Sequence, residues 1–98
     1  MTIETQKNAA DTILRISGRL DTITAPALDK TISEVIGDTG NLILDLKNLE
    51  YISSAGLRIL LGAQKKMQKI GSMKVVNVCE EVMEVFEMTG FADILVIE

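Results

Sequence analysis

The chain of 98 residues contains no histidine. The commonest general base and the commonest zinc ligand are therefore missing. Cys79 is the single cysteine, which excludes an intramolecular disulfide and a thiolate cluster and fits a reducing compartment. No apolar run approaches membrane-spanning length, and the N-terminus is too polar for a secretory signal, so membrane insertion is not expected and the cytoplasm is the expected location. Positive charge is in the minority: 10 Lys and Arg stand against 14 Asp and Glu, a net charge of −4. A direct nucleic-acid partner, which needs a basic face, is not expected either.

The motifs of catalysis are equally thin. A nucleophile elbow requires Gly-x-Ser-x-Gly and a histidine partner, whereas the serines here stand in Ile52-Ser53-Ser54-Ala55-Gly56 with no leading glycine. No Gly-x-x-x-x-Gly-Lys-Ser/Thr phosphate loop is present. Glu80, Glu81, Glu84 and Glu87 read as the solvated start and face of a helix rather than a metal site. The expectation is a chain that is not an enzyme and has no catalytic residue, cofactor or metal.

What is present suits one folded domain spanning residues 1–98. A hydrophobic content of 47% can build a core, and a charged content of 24% keeps the surface wet. Thr2–Gln6 predicts a short edge strand and Thr12–Leu20 a strand of period two, with Gly18 letting it bend. Pro26 suits a first helical turn, and Ala25, Leu28, Ile32, Val35 and Ile36 step by three and four before Gly37 and Gly40. Leu42–Leu46 is a continuous apolar run, as in strands covered by helices on both faces. A helix over Ala55–Ile70, a strand over Lys74–Val78, a helix carrying Val82, Val85 and Phe86, and a last strand over Ile94–Ile97 complete the chain. The fold class is α/β, a single small domain with a mostly parallel mixed sheet, in the order β-β-α-β-α-β-α-β; the strand order is left open.

The organising stretch is Tyr51-Ile52-Ser53-Ser54-Ala55-Gly56-Leu57. It puts two serines where a loop becomes a helix N-terminus. A serine oxygen there can cap the helix, and a phosphate there is electrostatically favoured. Either serine could be the cap. Asp21 falls just past the end of another strand, at the edge where open α/β sheets gather their sites, although it could equally cap the helix of Pro26. Arg58 stands one turn after Ser54, within helical reach of a phosphate. Together with Lys65, Lys66 and Lys69 it makes this helix basic, which suits either solubility or docking of an acidic partner.

Three stretches in order carry a family resemblance. Gly18-Arg19-Leu20-Asp21, the run from Leu44-Asp45-Leu46 through Ser54-Ala55-Gly56-Leu57, and Val82 with Phe86-Glu87-Met88-Thr89-Gly90 together resemble the STAS-domain anti-sigma factor antagonists of bacteria. The resemblance covers nearly the whole chain. It implies a STAS-like fold and a partner-switching regulator. The unphosphorylated form would bind an anti-sigma factor that is also an ATP-dependent serine kinase. Phosphorylation of Ser54 would end the complex, and a serine phosphatase would reset it. Ser53 stands where the family usually has aspartate, which makes it a rival acceptor. The implied partner-binding residues are Asp21, Thr22, Ser53, Ser54, Gly56, Leu57 and Arg58. A homodimer is left open. The alternative is a STAS module of a stress-signalling complex or membrane-transport assembly with no sigma-factor role, since one fold hosts several functions.

Overall fold

A computed structural model describes the backbone of residues 1–98 and every side chain except that of Asp38. Strand β1 (Thr2–Asn8) forms an antiparallel hairpin with β2 (Asp11–Leu20). Ala9 in the tight turn between them takes a left-handed φ of 54°. Helix α1 (Ala25–Val35) leads to β3 (Asn41–Asp45), β4 (Leu49–Ile52), α2 (Ser54–Ile70), β5 (Ser72–Val76) and α3 (Glu80–Thr89). The sheet runs β1-β2-β3-β5, and β2 also pairs with β4. Every pairing except β1–β2 is parallel.

The long strand β2 serves two neighbours in succession. Its residues 11–15 pair with β3, and Gly18, Arg19 and Leu20 pair with β4. The register shifts between Gly18 and Arg19. Gly18 sits at φ 92°, a conformation that glycine adopts without steric cost, and its amide donates to the Asn48 carbonyl at 2.9 Å. The bend expected at Gly18 is therefore what moves β2 from one partner to the next.

One face of the sheet builds the core. Leu14, Ile16, Leu20, Leu42, Leu44, Met73 and Val75 are buried with Leu28 and Ile32 of α1, Leu60 and Met67 of α2, and Val82 and Phe86 of α3. The opposite face is only half-buried at Ile13, Arg15, Ile43, Asp45, Lys74 and Val76. The expectation that Leu42–Leu46 is covered on both sides is thus corrected. Leu42 and Leu44 point into the core, whereas Ile43 and Asp45 lie on a face tied by polar cross-strand contacts. Asn41 Nδ2 donates to Asp11 Oδ1 at 2.7 Å, and Arg15 lies 3.8 Å from Asp45.

Two further details differ from the sequence reading. The stretch before Ser53, expected as loop, contains the four-residue strand β4. The strand expected over Ile94–Ile97 is reduced to a single parallel bridge between Val75 and Ile97, closed by bonds from the Val75 amide to Val96 and from the Glu98 amide to Val75. A short 3-10 turn over Phe91–Asp93 holds the start of this stretch, because the Ile94 and Leu95 amides both donate back to the Phe91 carbonyl and do not pair with β5. The α/β class and the largely parallel mixed sheet stand. Among the described residues no helix is long and apolar enough to cross a membrane.

Candidate functional site

Parallel pairing puts the C-terminal ends of β2 and β4 side by side, with Leu20 opposite Ile52. The chain leaves both strands at the same edge. There the Ser53 amide donates to the Leu20 carbonyl at 2.9 Å. The loop beginning at Asp21 and the start of α2 are therefore joined by a backbone hydrogen bond, and in each a side-chain oxygen accepts from backbone amides.

On the Asp21 side, the carboxylate Oδ1 accepts from the amides of Ile23 at 3.0 Å and Thr24 at 3.1 Å. In return the Asp21 amide donates to Thr24 Oγ1 at 2.9 Å. This reciprocal pattern satisfies donors at the start of a helical turn as a capping box does. The Ala25 amide then donates to the Asp21 carbonyl at 2.8 Å, and the chain runs into α1. The Thr24 hydroxyl also donates to the Arg19 carbonyl at 2.8 Å, locking the loop onto the end of β2. The Thr24 amide, first of all, holds the Asp21 carboxyl below the ordinary aspartate range. Partial burial opposes this, while the Thr24 hydroxyl, the Ile23 amide and Arg19 add to it.

On the serine side, Ser53 is extended and its Oγ accepts from the Gly56 amide at 3.3 Å. Ser53 is thus the cap of α2, and Ser54 is its first helical residue, exposed to solvent. The first turn of α2 carries no acidic residue, so nothing there opposes the positive end of the helix dipole. Gly56 is buried against the partner strands. A Cβ on it would lie 2.7 Å from Leu20 Cγ and 2.9 Å from Ile52 Cγ1. The missing side chain lets the first turn of α2 press onto the ends of β2 and β4.

Of the seven residues expected here, Thr22, Ser54 and Arg58 are exposed, Asp21 and Ser53 are half-buried, and Gly56 and Leu57 are buried. Gly56 and Leu57 therefore hold the corner in place and add little to its surface. The sequence reading missed Thr24, the return partner of Asp21, although the Asp-x-x-Thr spacing was the available signal. It also missed Ile23, which is 88% exposed. It missed the Arg19–Tyr51 pair as well, in which the guanidinium lies 4.1 Å from the ring centroid.

The sequence profile of the STAS domain matches residues 2–98. The chain belongs to the STAS domain family. This STAS domain is 30% identical over 94 residues to the anti-sigma-B factor antagonist of Bacillus subtilis (strain 168), a match covering 95% of this chain and 86% of that protein. A crystal structure of an anti-sigma factor antagonist from Mycobacterium paratuberculosis superposes with a TM-score of 0.90 at 28% identity, covering 98% of this chain and 83% of that one. The Bacillus cell fate determinant SpoIIAA in its phosphorylated form has a TM-score of 0.78 at 19% identity, over 99% of this chain and 91% of that one. That last likeness is one of fold.

Proposed function

We propose that this STAS domain is an anti-sigma factor antagonist that works by partner switching and has no catalysis of its own. Unphosphorylated, it binds an anti-sigma factor with serine kinase activity and so frees a sigma factor. Phosphorylation of Ser54 releases the complex, and a serine phosphatase restores the binding form. The name of the Bacillus subtilis relative, an anti-sigma-B factor antagonist, supports the antagonism of an anti-sigma factor in the first half of this reading.

The observation that carries the second half is the division of labour between the two serines. Ser53 is committed to the Gly56 amide, whereas Ser54 is exposed on the first turn of α2. A phosphate on Ser54 adds about −1.5 to −2 charges at a position where the helix dipole favours them. The fold tolerates the modification, but a close-packed partner would have to desolvate a dianion. Asp21, Thr22 and Arg58 form the rest of the contact surface, with Gly56 and Leu57 behind it.

The test is to incubate the chain with the purified anti-sigma factor kinase of the same organism and ATP, map the modified residue by mass spectrometry, and titrate both forms against that kinase. Modification at Ser54 with loss of affinity is expected. Modification at Ser53 alone, or equal affinity of the two forms, defeats the reading.

A further inference from the structure

Ile23 is 88% exposed, and a lone apolar side chain on a surface needs no explanation. Ile23 is not alone. Pro26 and Ala27, three and four residues on, are also exposed. The bonds from the Ala25 amide to the Asp21 carbonyl and from the Ala27 amide to the Thr24 carbonyl give this stretch helical spacing, so the three side chains share one side. Nor is the segment loose. The Ile23 amide is held by Asp21 Oδ1, and Thr24 closes the turn on both Asp21 and Arg19. Its base is tied through the Leu20 carbonyl to the Ser53 amide, one residue from Ser54.

We propose that Ile23, with Pro26 beside it, is the apolar anchor by which the serine kinase grips this chain, seated in an apolar pocket at the rim of the kinase's active cleft. The inference rests on the function proposed above and names the source of its affinity. A serine hydroxyl and its backbone offer little apolar area, and the neighbouring Gly56 and Leu57 are buried in the domain's own core. Ile23 is the most exposed large apolar side chain at the corner, since Tyr51, 40% exposed, has the Arg19 guanidinium over its ring. Because its turn is already fixed by hydrogen bonds, burying it costs little ordering entropy on association. Charge favours the same occupant over a second copy. At this corner Arg19 and Arg58 are both exposed, and the one carboxylate among the site residues, Asp21, is half-buried with its Oδ1 taken up by the Ile23 and Thr24 amides, while the chain as a whole carries −4. An acidic pocket rim would complement this corner before phosphorylation and repel a phosphate at Ser54 afterwards. The anchor then supplies affinity, and the rim supplies the switch.

The experiment compares wild type, Ile23→Ser, Ile23→Val and Met88→Ser, the last changing another strongly exposed apolar residue on α3, 79% exposed. Each folded variant, checked by circular dichroism, is titrated against the purified anti-sigma factor kinase with ADP, and its phosphorylation kinetics are measured. Ile23→Ser is expected to weaken binding about tenfold or more and to raise KM with kcat unchanged. Ile23→Val should lose far less, and Met88→Ser should stay within about twofold of wild type. Binding of Ile23→Ser within about twofold of wild type overturns the anchor and leaves the proposed function standing. So does a wild-type dimer in sedimentation equilibrium that Ile23→Ser dissolves, because the patch then belongs to a second copy. No binding by wild type overturns the function itself.

Discussion

The Leu20 carbonyl accepts from the Ser53 amide at 2.9 Å, so one backbone bond joins the loop of Asp21 to the cap of α2. The Leu20 side chain lies under the same helix turn, where a Cβ on Gly56 would approach its Cγ to 2.7 Å. Geometry at the corner therefore depends on a helix that can come this close.

Glycine substitutions in α2 should consequently have opposite signs. Gly62 lies inside the helix with nothing within 4 Å of a built Cβ, so Gly62→Ala should stabilise by about 0.5–1 kcal/mol through helix propensity. Gly56→Ala gains the same propensity but collides with Leu20 and Ile52, where overpacking typically costs about 1–3 kcal/mol. A net loss is expected. Urea midpoints of the two variants check this, and a gain in both would mean that α2 slides away from β2 freely.

A second stability prediction concerns Gln64. It is 6% exposed on the core side of α2, and its Oε1 is buried with no hydrogen-bond partner among the described residues. An unsatisfied buried acceptor costs about 1–3 kcal/mol. Gln64→Met, of similar length and without the amide, should raise the urea midpoint. An unchanged or lower midpoint would mean that water satisfies the amide.

The helices were legible because each writes a stripe of period 3.6 into the sequence, and Leu28, Ile32, Leu60, Met67, Val82 and Phe86 all reach the core. Strand β4 was not legible. In its four residues only Leu49 and Ile52 are buried, with Glu50 and Tyr51 exposed between them, too short a pattern to show a period of two. The last strand was over-read for the converse reason. Ile94 to Ile97 is uniformly apolar, yet Ile94 and Val96 are 44% and 50% exposed and only Leu95 is buried. At the site, composition could place two serines at a helix start but could not assign the cap. That depends on Ser53 being extended and its Oγ facing the Gly56 amide.

The Asp21–Thr24 box gives a pH prediction. The amide of Thr24 is the largest influence and lowers the Asp21 pKa in the folded state; burial, next in size, opposes it, and the Thr24 hydroxyl, the Ile23 amide and Arg19 add to the lowering. A depressed folded value means that the contribution is fully present above the ordinary aspartate pKa. It is lost as pH falls from there through the folded value. The difference in melting temperature between wild type and Asp21→Ala should therefore be constant at neutral pH and shrink on acidification through that window. Thr24→Ala, which removes the hydroxyl and leaves the amide, should raise the Asp21 pKa only part of the way, as read by carboxyl carbon NMR. A difference that persists in strong acid would show that Asp21 acts by something other than its charge.

The two serines should separate cleanly in stability and in response to phosphate. Ser53→Ala removes the α2 cap and should cost about 0.5–2 kcal/mol. Ser54→Ala touches an exposed first-turn residue and should stay within about 0.5 kcal/mol of wild type. With Ser54 phosphorylated, the dianion meets the dipole of a first turn that has no acidic residue and stands four residues before Arg58. The domain should hold or gain stability while its affinity for the kinase falls. If Arg58 reaches the phosphate, as helical side chains leaning toward the N-terminus can, it favours the dianion and lowers the second phosphate pKa. Arg58→Ala should then raise that pKa in a phosphorus NMR titration without changing the site of modification. Ser54→Asp should imitate release only in part, because it carries one charge and less bulk than a phosphate. An unchanged phosphate pKa in Arg58→Ala would remove Arg58 from the switch, and unfolding on modification would replace electrostatic release with loss of the domain.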